Sequence, residues 1–252
     1  MIIMKKIYFT LIALLASINM LAQGWPANYS GVMLQGFSWD SYDYSQWTVL
    51  EKQADDMKGF IDLVWLPQSG KCIETTQVMG YKPYYYFNQN SSFGTEAELR
   101  SLIAKFKANG IGAIADVVVN HRNTNGWYTF PAETYKGVTY QMLPTDICKN
   151  DDGGSTAIQA KKDGVSLSNN YDEGTDFGGC RDIDHKSENV QKIIKAYLKF
   201  LKEDIGYTGF RYDMVKGFSG THVADYNDAT GVEFSVGEYW DGNQSIINWI
   251  NK

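Results

Sequence analysis

Short apolar runs alternate with stretches of helical periodicity along most of this chain. The first run, VMLQGFSW after Gly31, ends around Gly36, Phe37 and Trp39 and predicts a buried strand. From Gln46 to Lys58 apolar residues recur at Trp47, Leu50, Ala54 and Met57, a spacing that lays them on one helical face. Ile61 to Leu66 reads as a second strand, stopped at Pro67 by a residue with no N–H to donate. Thr95, three residues before Glu98, makes a capping-box start for a helix whose inner face is Leu99, Leu102, Ile103 and Phe106. Asn109-Gly110 ends it. Gly112 to Val119 is then a continuous apolar run, the pattern of a parallel strand covered on both faces. Asp116 alone interrupts it, and an acid there is costly unless it has a partner.

From about Arg122 to His185 the rhythm stops. The segment is rich in Gly, Asp, Asn and Thr and has no long amphipathic run. A structureless loop of that length does not suit a compact domain, so the segment is expected to be a small irregular domain inserted after the third strand. Periodicity resumes at Asn189–Asp204, with Val190, Ile193, Ile194, Tyr197, Leu198 and Leu201 inward and Gly206 as the break. A strand pattern, GFRYD at 209–213, follows, then a helix-compatible stretch from Thr221 to Thr230. A second strand pattern, FSVGE at 234–238, leads to a last helix with Ile246, Ile247, Trp249 and Ile250. Sequential strands joined through helices are parallel neighbours, so the chain reads as five strand–helix units of an α/β fold. No GxGxxG occurs, which argues against a dinucleotide fold.

Composition narrows the function. A net charge of −6 argues against a nucleic-acid partner, which calls for a basic patch. Seventeen Tyr and seven Trp are more than a core of this size needs and suit stacking on sugar rings. Residues 1–23 read as a secretory signal peptide, with Lys5 and Lys6 before the apolar run Ile7–Ala16 and small residues near Ala22. The protein is therefore expected to be secreted or periplasmic, without a membrane partner after leader removal, and to act as a monomer. Three cysteines, Cys72, Cys148 and Cys180, leave at least one thiol unpaired; a Cys148–Cys180 bridge is one arrangement open to them.

The chemistry concentrates at the two late strands. Each ends on a carboxylate, Asp213 and Glu238, which parallel pairing brings to one C-terminal sheet edge, where β/α barrels hold their active sites. Two such carboxyls, one a nucleophile and one an acid/base, are what retaining glycoside hydrolysis requires. A strand-end acid alone could equally cap the following helix. Arg211 shifts that balance, because residues two apart on a strand share a face and a guanidinium beside Asp213 favours its ionised form.

With these residues in hand, GFRYDMVKG (209–217) resembles the nucleophile motif of the α-amylase family of glycoside hydrolases, and GEYW (237–240) its acid/base motif. DVVVNH (116–121) resembles the family's first motif, and GYKP (80–83) the Gly-Tyr-x-Pro loop of plant-type members. The resemblance implies a (β/α)8 TIM barrel of which the first five units are present, with an irregular calcium-binding domain inserted after strand 3. It implies Asp213 as nucleophile and Glu238 as acid/base, with Tyr81, His121, Arg211 and Lys216 binding an α-glucan substrate. Asp116 would be structural, reaching Arg211. The stretch from Asp172 to His185 resembles the family's calcium-binding segment. It implies one Ca²⁺ held by Asn120, Asp172, the Thr175 carbonyl, Asp182 and the Gly217 carbonyl. A second ion near Asp176 and the carbonyls of Phe177 and Cys180 is a further implication. The expected layout is leader 1–23, barrel 24–120, inserted domain 121–185, and barrel again over 186–252. The family's third motif, an Asn-His-Asp, is absent before Lys252, and the chain is expected to continue into it. Another linkage specificity within the family, or glucan binding without catalysis, are the alternatives.

Overall fold

Residues 24–252 are described by the computed structural model; the predicted leader lies outside them. Strand β1 (Met33–Gln35) leads to helix α1 (Trp47–Met57), β2 (Leu63–Leu66), α2 (Glu96–Ala108) and β3 (Gly112–Val117). An excursion follows, built from β4 (His121–Arg122), β5 (Glu133–Tyr135), β6 (Val138–Tyr140), α3 (Ser155–Asp163) and β7 (Arg181–Asp182). The chain then returns through α4 (Glu188–Lys199), β8 (Gly209–Tyr212), α5 (Gly220–Thr230), β9 (Phe234–Gly237) and α6 (Asn243–Ile250).

Five strands pair in the order β1-β2-β3-β8-β9, all parallel, a half-barrel of β/α units. The helices cover it as their periodicity requires. Trp47, Leu50 and Ala54 of α1 and Leu99, Leu102, Ile103 and Phe106 of α2 are buried in one core, each large side chain contributing about 1.5–3 kcal/mol. The capping box at Thr95 and Glu98 forms reciprocally. In α4, Val190, Ile193, Ile194, Tyr197 and Leu198 are buried. Wider, π-type turns continue that helix over Phe200–Ile205 until Gly206, at φ 103°, turns the chain left-handed, a conformation that costs glycine little.

Three features depart from the sequence reading. Helix α3 was not predicted, because it buries only Thr156 and Ala160 and so has no apolar stripe to announce it. Helix α6 buries no residue, and Ile247 and Ile250 face outward. The Cys148–Cys180 bridge is not formed: all three cysteines are buried free thiols. Burial holds Cys72 up at about 11 and Cys180 up at about 12, so neither offers a reactive thiolate. Among the described residues no helix is long and apolar enough to cross a membrane.

Candidate active site

Register decides which side chains meet. Asp116 of β3 lies opposite Arg211 of β8, and Tyr212 opposite Gly237 of β9. The next residue on each late strand is a carboxylate, at the C-terminal edge. Backbone bonds fix both: Asp213 N–H donates to the Val117 carbonyl, and Glu238 N–H to the Tyr212 carbonyl. Met214 then adopts a left-handed backbone conformation at φ 46°, which costs a β-unbranched residue of this kind roughly 1–3 kcal/mol. In this turn its N–H donates to Glu238 Oε2 at 3.1 Å.

One guanidinium joins three acids. Arg211 Nη1 donates to Asp116 Oδ1 at 2.8 Å and to Asp213 Oδ1 at 2.7 Å, while Nη2 lies 2.8 Å from Glu238 Oε2. Its face stacks over Trp65, 4.7 Å from the ring centre. Arg211 was expected to hold Asp213 ionised, yet the net shift runs the other way. Burial and the neighbouring Asp116 and Glu238 carboxylates push Asp213 up to about 7, with Arg211 opposing them only in part. The single positive charge is shared among too many acids. Glu238, less buried, has its desolvation outweighed by donors: the Trp240 indole, Arg211 and the Met214 N–H hold it below the usual range.

A cleft of about 820 Å³ opens over this cluster, floored by Arg211, Asp213 and Glu238 and walled by Trp39, Tyr81, Phe177, Lys216 and Trp240. Tyr81 donates to Asp116 Oδ2 at 2.9 Å and lies parallel to Trp39 at 5.9 Å, 5° between planes. Trp39 and Trp240 are 72% and 78% exposed, unusual for so large an apolar surface unless something covers it. His121 lines the cleft but is almost wholly buried. Its Nε2 faces the Tyr81 carbonyl at 2.8 Å and its ring stacks on Phe177. Burial pushes it down to about 4, so it is neutral and braces the Tyr81 loop. Lys216 pairs with Asp241 at 3.1 Å and reaches the Trp240 carbonyl at 3.3 Å.

Away from the acid cluster, Asn120 meets Asp182 and packs against Gly217. Asp172 Oδ2 is buried with no hydrogen-bond partner, and Asn120 Nδ2 lies 3.3 Å from Asp182 Oδ1. A Cβ on Gly217 would overlap the Asn120 side chain, and one on Gly174 would overlap the Lys216 carbonyl. Burial pushes Asp172 up to about 6 and, with Asp176 adding to it, Asp182 up to about 9. Buried carboxylates with an orphaned oxygen and an amide oxygen alongside suit a hard, oxygen-preferring cation. Nearby, carboxylate oxygens of Asp151, Asp176 and Asp182 all lie within 4.8 Å of one another. There Arg181 already pairs with Asp151 at 2.6 Å, and Asp176 accepts from the N–H groups of Asp152 and Gly153.

The profile of the family described as alpha amylase, catalytic domain, matches residues 61–246. The chain belongs to the α-amylase family. It is 32% identical over 243 residues to a chloroplastic alpha-amylase 3 of Arabidopsis thaliana, covering 87% of this chain and 25% of that one. With a probable alpha-amylase 2 of the same plant the identity is 30%, over 87% of this chain and 53% of that one. The chain thus spans about half or less of the length of these relatives. An alpha-amylase structure from Malbranchea cinnamomea superposes with a TM-score of 0.59 at 21% identity, over 87% of this chain and 48% of that one.

In this α-amylase-family chain the sequence motifs meet in two places. Asp116, Arg211, Asp213, Glu238 and Tyr81 form the acid cluster, with His121 and Lys216 on its walls. Asn120 and Asp182 meet at the cradle beside Gly217, where Thr175 N–H bonds the Lys216 carbonyl, while Asp172 keeps a buried oxygen without a partner. Sequence reasoning passed over Trp39, Trp65, Phe177, Met214 and Trp240 as cleft residues, and Asp151 in the acidic group. Trp240 was legible: it stands two residues after Glu238, so strand alternation would keep it on the same side.

Proposed function

We propose that the protein is a retaining α-amylase, hydrolysing α-1,4-glucosidic bonds of starch- or glycogen-type glucans. The observation that carries this is the pair of strand-end carboxylates on one guanidinium, at the floor of an aromatic-walled cleft. Asp213 attacks the anomeric carbon as Glu238 protonates the departing oxygen. Glu238 then takes a proton from water, which displaces Asp213 and leaves the α configuration unchanged. Tyr81 and Trp39 on one wall, and Trp240 on the other, offer ring faces to sugars, while Lys216 contacts the glucan on the leaving-group side. The expected test is the anomer released from maltoheptaose, followed by proton NMR during the first minutes. α-Anomeric product supports double displacement, and a β-anomeric first product would overturn it.

In the free protein the proton sits on the wrong partner: Asp213 is raised and Glu238 lowered. The competent form is the singly protonated pair, and the pair titrates as a unit. kcat/KM, which reports the free enzyme, is therefore expected to fall as pH rises through about 7, where the last proton leaves the Asp213–Glu238 pair. A profile flat from pH 6 to 9 would contradict this assignment.

A bound Ca²⁺ would supply positive charge to the cradle, held by Asn120, Asp172 and Asp182 with the carbonyls of Thr175 and Gly217. These residues tie the excursion to the strand ends. Chelation with EDTA is expected to lower the thermal midpoint by several degrees, with recovery on adding calcium but not magnesium, whose octahedral preference is stricter. An unchanged midpoint would count against the site. Residues 1–23 would direct export to the periplasm or the medium.

A further inference from the structure

The acid/base assigned above is held by an unusual set of donors. Glu238 Oε2 already faces two, Arg211 Nη2 at 2.8 Å and the Met214 N–H at 3.1 Å. The remaining oxygen, Oε1, accepts from the Trp240 indole Nε1–H at 2.7 Å. A proton on Glu238 can only reside on Oε1, because Oε2 is taken. Protonation turns Oε1 into a hydroxyl, a much poorer acceptor than a carboxylate oxygen, so the indole N–H bond favours the ionised form and opposes the proton. Glu238 becomes the better acid when the indole moves away.

The indole is free to do so. It is 78% exposed, and its hydrogen bond to Glu238 is its one polar anchor among the described residues, while its backbone is pinned by Lys216 Nζ on the carbonyl. The other charged or titratable groups around Glu238 are fixed. Arg211 comes from β8, Asp213 follows it, and Asp116 lies behind on β3. Lys216 and Asp241 pair beside the indole, and Tyr81 and His121 also line the cleft.

Resting on the hydrolase reading, we infer that Trp240 is a positioning residue that keeps Glu238 ionised in the free protein and releases it when a sugar draws the indole face away. Occupancy on the leaving-group side then arms Glu238 as the acid.

Trp240→Phe tests this, because phenylalanine keeps a ring face and lacks the N–H. The acidic limb of kcat/KM, set by the lower deprotonation of the Asp213–Glu238 pair, is expected to move up by about 1–2 pH units on loss of one hydrogen bond to a charged group. A limb unmoved in an active Trp240→Phe enzyme overturns the inference while leaving the hydrolase reading intact. A second readout needs no activity. The indole ¹H–¹⁵N cross-peak that disappears in Trp240→Phe is expected to titrate at acid pH in the unmodified protein and to lose that titration in Glu238→Gln. A cross-peak insensitive to pH, or one that titrates equally in Glu238→Gln, overturns the inference.

Discussion

Asp213→Asn is expected to lower kcat on maltoheptaose by on the order of 10³-fold or more, since an amide cannot form the covalent intermediate and loss of a nucleophile has effects of that size. The fold should survive. Asp213 accepts one hydrogen bond from Arg211 and is already drawn toward its neutral form by burial and by Asp116, so a neutral amide of the same shape relieves crowding. An unchanged or slightly raised thermal midpoint alongside the activity loss separates chemistry from misfolding. Activity within tenfold of the unmodified protein would remove Asp213 from the nucleophile's role.

The largest loss of stability is expected from Arg211→Met. The guanidinium is the only cation within salt-bridge distance of Asp116, Asp213 or Glu238 among the described residues. Methionine would leave these acids facing one another, two of them deeply buried. Breaking a buried pair by removing one partner costs about 3–5 kcal/mol, which for a protein of this size is roughly 6–20 °C in Tm. The sign with pH follows from the raised folded pKa of Asp213. A carboxyl that prefers its proton when folded stabilises at low pH, and this contribution is lost as pH rises through about 7. The variant's deficit should therefore widen from pH 5 to pH 8. Adding Asp116→Asn should recover part of it. A midpoint within about 2 °C of the unmodified protein would mean that the network does not hold the sheet edge.

Much of this arrangement was readable from residue order. The five parallel strands could be read because each is a short apolar run, four of them ended by Gly, Pro or an acid, and the helices because their stripes are wide. Asp116 stood out as a lone acid in GAIADVVV, and its partner proved to be Arg211. The excursion was harder. Its helix α3 has too narrow a buried face, and its shape is set by polar contacts such as Arg122 with Glu133 at 2.7 Å and Arg181 with Asp151, which leave no periodic trace. The direction of the Asp213 shift could not be read either. From sequence, an arginine two residues away speaks for an ionised carboxylate; only the packing shows that two other acids share it. His121 offers a related lesson: motif position gives no sign of its bond to the Tyr81 carbonyl.

The pairing of Asp116 with Arg211 spans 95 residues, and that distance has a consequence for synthesis. A ribosome adding about 5–20 residues per second delivers the arginine roughly 5–20 s after the acid. Until then β3 carries a carboxylate in its apolar run with no cation to meet it, so its burial between the first helices is disfavoured. Tyr81, which comes before β3 in the chain, is the one partner of that acid already made, so the strand that closes the pair is also the one that supplies its charge.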